Sequence, residues 1–249
     1  MQLKAGSFAS SDLADITMTA CAKTKTLVIV QSNYIPWKGY FDLINLADHL
    51  ILYDDVQFTK NDWRNRNVIK TFNGPHWLTI PVTHKFGQKI KDTEICFPGW
   101  AQKHWKTIAQ SYSKAPCFNR YKEVFETLYL NTDETFLSEV NRQYISAICD
   151  ILGIETECSW SMDYELPEGK TERLLELCRK LGAADYLSGP AAKTYIDANL
   201  FVEAGIKLRF MSYDGYPEYR QLFPPFQHAV SIIDLILNEG ADARTYMLS

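Results

Sequence analysis

The chain has 249 residues, 46% hydrophobic and 22% charged, enough to bury a sizeable core in one large domain or two small ones. A formal net charge of −4 and a pI near 5.8 exclude an overall field that would gather nucleic acid or an anionic membrane, so any basic patch must be local. The six cysteines stand singly with no C-x-x-C pair, which speaks against a disulfide scaffold or structural zinc and fits a reducing cytoplasm.

Residues 1–25 carry no long apolar run, so no secretory leader is expected and the segment reads as a flexible extension. No stretch reaches the roughly 18 to 20 apolar residues of a membrane span. The first element, TLVIV at 26–30, is short, apolar and β-branched, and reads as a buried strand. It leads into QSNYIPWKGYFDLI, a turn and short helix, and then into a second apolar run, HLILY, ending at Asp54 and Asp55. Strand, polar loop, helix, strand is a βαβ unit whose right-handed crossover makes the strands parallel neighbours, with the ligand crevice outside their carboxyl ends. A β-rich excursion follows, with a turn at Asn73-Gly74 and a strand in WLTIPV. Trp100, His104, Ile108 and Tyr112 recur at helical spacing, and Phe136 to Leu152 forms a longer helix closed by Gly153. The last third returns to α/β: a helix preceded by Thr171, with Leu174, Leu177, Cys178 and Leu181 on one face and ended by Gly182, then the strand DYLSG, a turn and helix in PAAKTYIDANLFVEAG, the strand KLRFMSY and a final helix in SIIDLILNEG. The expected fold is α/β, a Rossmann-like parallel sheet with a helical insertion at about 100–153, in a single domain over 26–249.

Three constellations could carry chemistry. In the loop after the first strand, Gln31 and Asn33 offer amides, Tyr34 a hydroxyl, Trp37 a stacking face and Lys38 a charge. Gly39 at the helix start would let backbone N–H groups approach a phosphate. The plainer alternative is that Tyr34, Trp37 and Tyr40 pack beneath the sheet end. In DDVQFTKNDWRNRN, Asp54 or Asp55 could bind a hydroxyl or accept a proton, with Gln57, Lys60, Trp63, Arg64, Asn65 and Arg66 as ligand contacts. Extended backbone would send Arg64 and Arg66 to one side; alternatively this is a solvated turn pairing with Asp62. In YLSGPAAKTY, Ser188 and Gly189 could hold a phosphate or oxyanion, supported by Lys193. His76 is the candidate general base, and His104 a hydrogen-bonded core histidine. The remaining histidines form no readable metal set, and no G-x-G-x-x-G or P-loop motif is present, so neither zinc nor NAD is expected.

The blocks QSNYIPWKGYFDLI, YDDVQFTKNDWRNRN, NGPHWLTIPV, LGAADYLSGPAAKTY, YPEYRQ and SIIDLILNEG occur in order across nearly the whole chain. In them the sequence resembles the WbqC-like family of bacteria, whose members lie among genes for O-antigen and other surface glycans. That resemblance implies a cytoplasmic enzyme of glycan biosynthesis. The expected reaction is transfer of an N-acyl or N-aminoacyl group to a nucleotide-linked amino sugar. His76 or Asp55 would act as base, Asn33 and the Ser188-Gly189 loop would stabilise the oxyanion, and Lys60, Arg64 and Arg66 would clamp the anion. The cofactor is unknown; an acyl or aminoacyl donor is implied, and a charged tRNA is the one nucleic acid that would fit. The opening loop is also loosely similar to nucleotidylyltransferases and class I synthetases. The glycine of their His-x-Gly-His turn is kept and both histidines are absent, which disfavours nucleotidylyl transfer with magnesium. A non-catalytic glycan-assembly module is the third alternative.

Overall fold

The computed structural model describes residues 24–249, so the expected N-terminal extension lies almost wholly outside the described residues. The strands are β1 (Thr26–Val30), β2 (His49–Leu52), β3 (Arg66–Thr71), β4 (Gly74–Thr79), β5 (Glu157–Trp160), β6 (Asp185–Ser188) and β7 (Lys207–Phe210). Five of them form a parallel sheet in the order β5-β2-β1-β6-β7, while β3 and β4 pair antiparallel as a separate hairpin. The helices are α1 (Lys38–Asn45), α2 (Trp100–Tyr112), α3 (Phe118–Leu130), α4 (Leu137–Leu152), α5 (Lys170–Lys180), α6 (Ala198–Glu203) and α7 (Ile232–Glu239).

Helices cover both faces of the sheet, which is why its central strands read as unbroken apolar runs instead of alternating ones. Val28, Leu50, Leu52 and Leu187 pack with α1, α4 and α7, whereas Leu27, Ile29, Ile51 and Tyr186 pack with α5 and α6. Each such aliphatic side chain, fully buried, contributes roughly 1.5–3 kcal/mol. The sheet is thus the Rossmann-like α/β architecture expected. Its direction of winding reverses at β1, whose neighbours β2 and β6 lie on opposite sides, and a ligand crevice belongs outside the carboxyl ends at that reversal.

Several elements differ from the sequence reading. The strand in the excursion begins at Gly74, so His76 lies inside β4 and not before it. α3 and the edge strand β5 have no counterpart among the elements expected from sequence. α2 and α3 lock together through Trp105, which stacks on Phe118 at 6.4 Å and on Tyr129 at 6.2 Å and donates its indole N–H to Glu126 at 3.1 Å. α4 ends as expected at Gly153 (φ 65°), whose left-handed backbone lets Ile154 N–H reach the Cys149 carbonyl at 2.9 Å. α7 opens on Ser231, whose hydroxyl accepts the Ile233 N–H at 3.3 Å.

Candidate functional site

The loop after β1 is held from beneath by a chain of hydrogen bonds. The Gln31 carbonyl accepts from Tyr40 Oη at 3.1 Å, and Ser32 donates its N–H to Asp54 Oδ1 at 2.8 Å while its Oγ accepts from Asn141 Nδ2 at 3.0 Å. Tyr34 is wholly buried, its Oη 2.9 Å from His104 Nδ1 and 2.8 Å from Tyr129 Oη. His104 is therefore the core histidine expected, and burial lowers its pKa to about 4, leaving it neutral. Ile35 follows with φ 36°, a left-handed conformation that a β-branched residue adopts at a cost of order 1–3 kcal/mol. Asn67 stabilises this turn by donating Nδ2 to the carbonyls of Tyr34 (3.1 Å) and Ile35 (3.0 Å).

Beyond Ile35 the geometry departs from a phosphate cradle. The Trp37 indole folds over Gly39, where a Cβ would lie 2.3 Å from the ring, so the glycine makes room for the tryptophan. Tyr213 and Tyr216 pack against the same indole at 5.0 and 5.4 Å. Lys38 is buried and already engaged, donating Nζ to the Pro217 carbonyl at 2.8 Å between the rings of Tyr216 and Tyr219. Desolvation lowers its pKa to about 8. The first residue of α1 thus faces the 213–219 segment, which follows β7.

The two carboxylates after β2 diverge, as strand alternation implies. Asp54 is wholly buried toward α4, accepting from Ser32 N and Ser138 Oγ, and burial raises its pKa. It braces the loop and faces no solvent. Asp55 turns toward α5, accepting Ser161 Oγ at 2.6 Å and pairing with Arg173, which also donates to Tyr53 Oη at 2.7 Å. A base whose oxygens already hold a guanidinium and a hydroxyl has little left for a substrate proton. Nothing local in the sequence marks Arg173 as that partner, 118 positions away.

Residues 60–65 form a turn and not an extended strand, because β3 begins only at Arg66. The two arginines consequently separate. Arg64 pairs with Asp62 at 3.3 Å, with its Nε unpartnered among the described residues, while Arg66 donates to the Asn61 carbonyl and lies 4.3 Å above the Trp77 ring. Gln57 and Lys60 are exposed, and Asn65 is buried, its amide donating to the Ile80 carbonyl at 2.9 Å. Across the crevice, Ser188 is buried and accepts from Tyr186 Oη at 3.2 Å, Gly189 lies beneath the Tyr213 hydroxyl, and the exposed Lys193 reaches over Phe210.

What the structure brings together is a cavity of about 230 Å³ lined by Asn33, Pro36, Trp37, Trp63, Asn67, His228 and Ala229. Trp63 is 40% exposed, and the Oδ1 of Asn33 is buried with no partner among the described residues. His228 was not singled out from sequence as a site residue. It arrives on the irregular segment before α7, with its ring edge-on to Phe226 at 4.6 Å, and the aromatic-flanked PPFQHAV was the available signal. His76 is elsewhere, lining a cleft of about 480 Å³ between β4 and α2. Among the described residues no cluster of three or more His, Cys, Asp or Glu could hold a metal ion, and no helix is long and apolar enough to cross a membrane.

Comparison with known proteins places the whole of this site inside a matched region. The family model described as WbqC-like protein family matches residues 31–246, beginning at the residue that follows β1. An uncharacterized protein of Mycobacterium tuberculosis is 49% identical over 225 residues, covering 90% of this chain and 97% of that protein. No solved structure matches.

Proposed function

We propose, from the premise that the chain belongs to the WbqC-like protein family, that it is a surface-glycan biosynthesis enzyme that acylates or aminoacylates the amine of a nucleotide-linked amino sugar. The observation that carries this reading is a single cavity, walled by Trp37 and Trp63, whose lining includes Asn33 with its unpartnered Oδ1 and the exposed His228. A buried amide oxygen without a donor favours a ligand that brings an N–H or O–H, and an amine brings one. The indole faces offer stacking surface for the sugar or its base.

In this reading the neutral amine attacks the acyl carbonyl carbon, a C–N bond forms, and the bond from that carbon to the donor's leaving group breaks. The amine proton passes to His228 and leaves with the departing group. His228 takes the base role because His76 opens on another cleft and Asp55 is already engaged by Arg173 and Ser161. Arg64, with its free Nε next to Trp63, is the cation proposed to meet the pyrophosphate, and Gly189 across the crevice is proposed to face the oxyanion.

The test is thermal unfolding with nucleotide-linked amino sugars, since a ligand at a hundred times its Kd stabilises by about 2.7 kcal/mol. Amino sugars linked to a nucleoside diphosphate should raise the Tm while the free nucleotide does less. The shift should vanish in His228→Ala and Arg64→Ala without loss of basal stability. Release of pyrophosphate from a nucleoside triphosphate and a sugar phosphate would replace acyl transfer with nucleotidylyl transfer.

A further inference from the structure

We infer that the cleft between β4 and α2 is a second ligand site, built for a small carboxylate with an apolar body. Its volume, about 480 Å³, is twice that of the cavity at Asn33 and falls in the range of preformed small-molecule sites. Trp77, Phe97 and Trp100 supply aromatic walls; Arg66 and Trp63 pack against the Trp77 ring, yet Trp77 and Phe97 remain 45% and 52% exposed, so flat apolar surface still faces an open space.

The charge on the walls selects the ligand's sign. Lys103 and His76 stand at the rim as exposed basic groups, and no Asp or Glu lines the cleft. No ion pair among the described residues engages Lys103. Deeper in, His104 is held by Tyr34 Oη at 2.9 Å and is kept neutral by burial, so the interior offers no second positive charge. One ammonium above an aromatic slot suits a monoanion with an apolar tail. A polyphosphate would need several cations or a nest of backbone donors, and a cationic ligand would meet Lys103. The site is distinct from the cavity at Asn33: the two share no lining residue, although Trp63 of one and Trp77 of the other are ring neighbours at 5.5 Å. The inference therefore does not depend on the acyl-transfer reading.

The experiment is saturation-transfer NMR on the full chain with 4-phenylbutanoate as probe and 4-phenylbutanamide as its uncharged control. Saturable binding of the carboxylate tighter than about 1 mM is expected, weakened at least about ten-fold in the amide and in Lys103→Glu. Phe97→Ser, also at an exposed position, should weaken both probes, and circular dichroism checks that each variant folds. Nucleotide-linked sugars should not displace the probe. Absence of saturable binding, equal affinity of acid and amide, full binding by Lys103→Glu, or displacement by a nucleotide sugar would each overturn the assignment, whatever the outcome at the first cavity.

Discussion

Neighbouring residues of one loop, from Gln31 to Lys38, have opposite fates. Ser32, Tyr34 and Lys38 are buried and hydrogen-bonded to distant parts of the chain, while Gln31, Asn33 and Trp37 keep access to solvent, and Asn33 retains an unpartnered oxygen. The anchored residues hold the loop in a conformation that includes a left-handed isoleucine; the others are what that conformation presents. Rich chemistry in a turn is thus no guide by itself to which groups meet a ligand. Satisfied, buried donors mark the scaffold, and an unsatisfied acceptor at a cavity marks the candidate contact.

Four measurements test that division. The largest effect is expected from Asp54→Ala, which strands the Ser32 N–H and the Ser138 hydroxyl in the interior at roughly 1–3 kcal/mol each. Urea unfolding should show a loss of about 4 kcal/mol; near-wild-type stability would mean that the loop is held by something else. Next is acid sensitivity through His104. Its folded pKa of about 4 lies below its ordinary 6.5, so between those values the unfolded chain binds a proton that the folded chain refuses. Stability from this group falls as pH drops from about 6.5 to 4, by up to about 3 kcal/mol at about 1.4 per unit. The raised pKa values of Asp54 and Asp234 act in the opposite sense, because the folded state takes up their protons first. The readout is therefore the difference between wild type and His104→Gln, which should shrink across that window. A pH-independent difference would remove His104 from the anchored set.

Asn67→Ala comes third. It releases the carbonyls of Tyr34 and Ile35 and should cost about 2 kcal/mol in chemical denaturation. The smallest stability change, within about 0.5 kcal/mol, is expected for Asn33→Ala, on the presenting side. Calorimetry should nevertheless show at least a ten-fold loss of nucleotide-sugar affinity, about 1.4 kcal/mol. If Asn33→Ala unfolds the protein and Asn67→Ala does not, the division is reversed.

The strands at the centre of the sheet were legible in sequence because burial on both faces writes them as continuous apolar runs, TLVIV and HLIL. The edge strand ECSW is half-buried and short, and leaves no such trace. α3 hides for a related reason: its buried Phe118, Phe125 and Tyr129 sit at helical spacing but are diluted by Arg120, Lys122 and Glu123 on the open side. At the site, Asn33, Trp37 and Trp63 could be nominated from residue type and strand-end position. The direction of Lys38 could not, since its partner carbonyl is 179 residues away, and neither could His228, which arrives on an aperiodic segment. Contacts between segments remote in sequence decided the roles, and local pattern carries no record of them.

The hydrogen bonds from Ser138 and Asn141 have a consequence for modularity. Both residues lie in the first turns of α4, inside the helices between β4 and β5, and they hold Asp54 and Ser32 at the carboxyl edge of the sheet. Splicing β4 directly to β5 would preserve every strand yet remove the far abutment of the loop after β1. Recombination, grafting or domain minimisation should treat sheet and helices as one inheritable unit, because the binding loop is shaped at their junction.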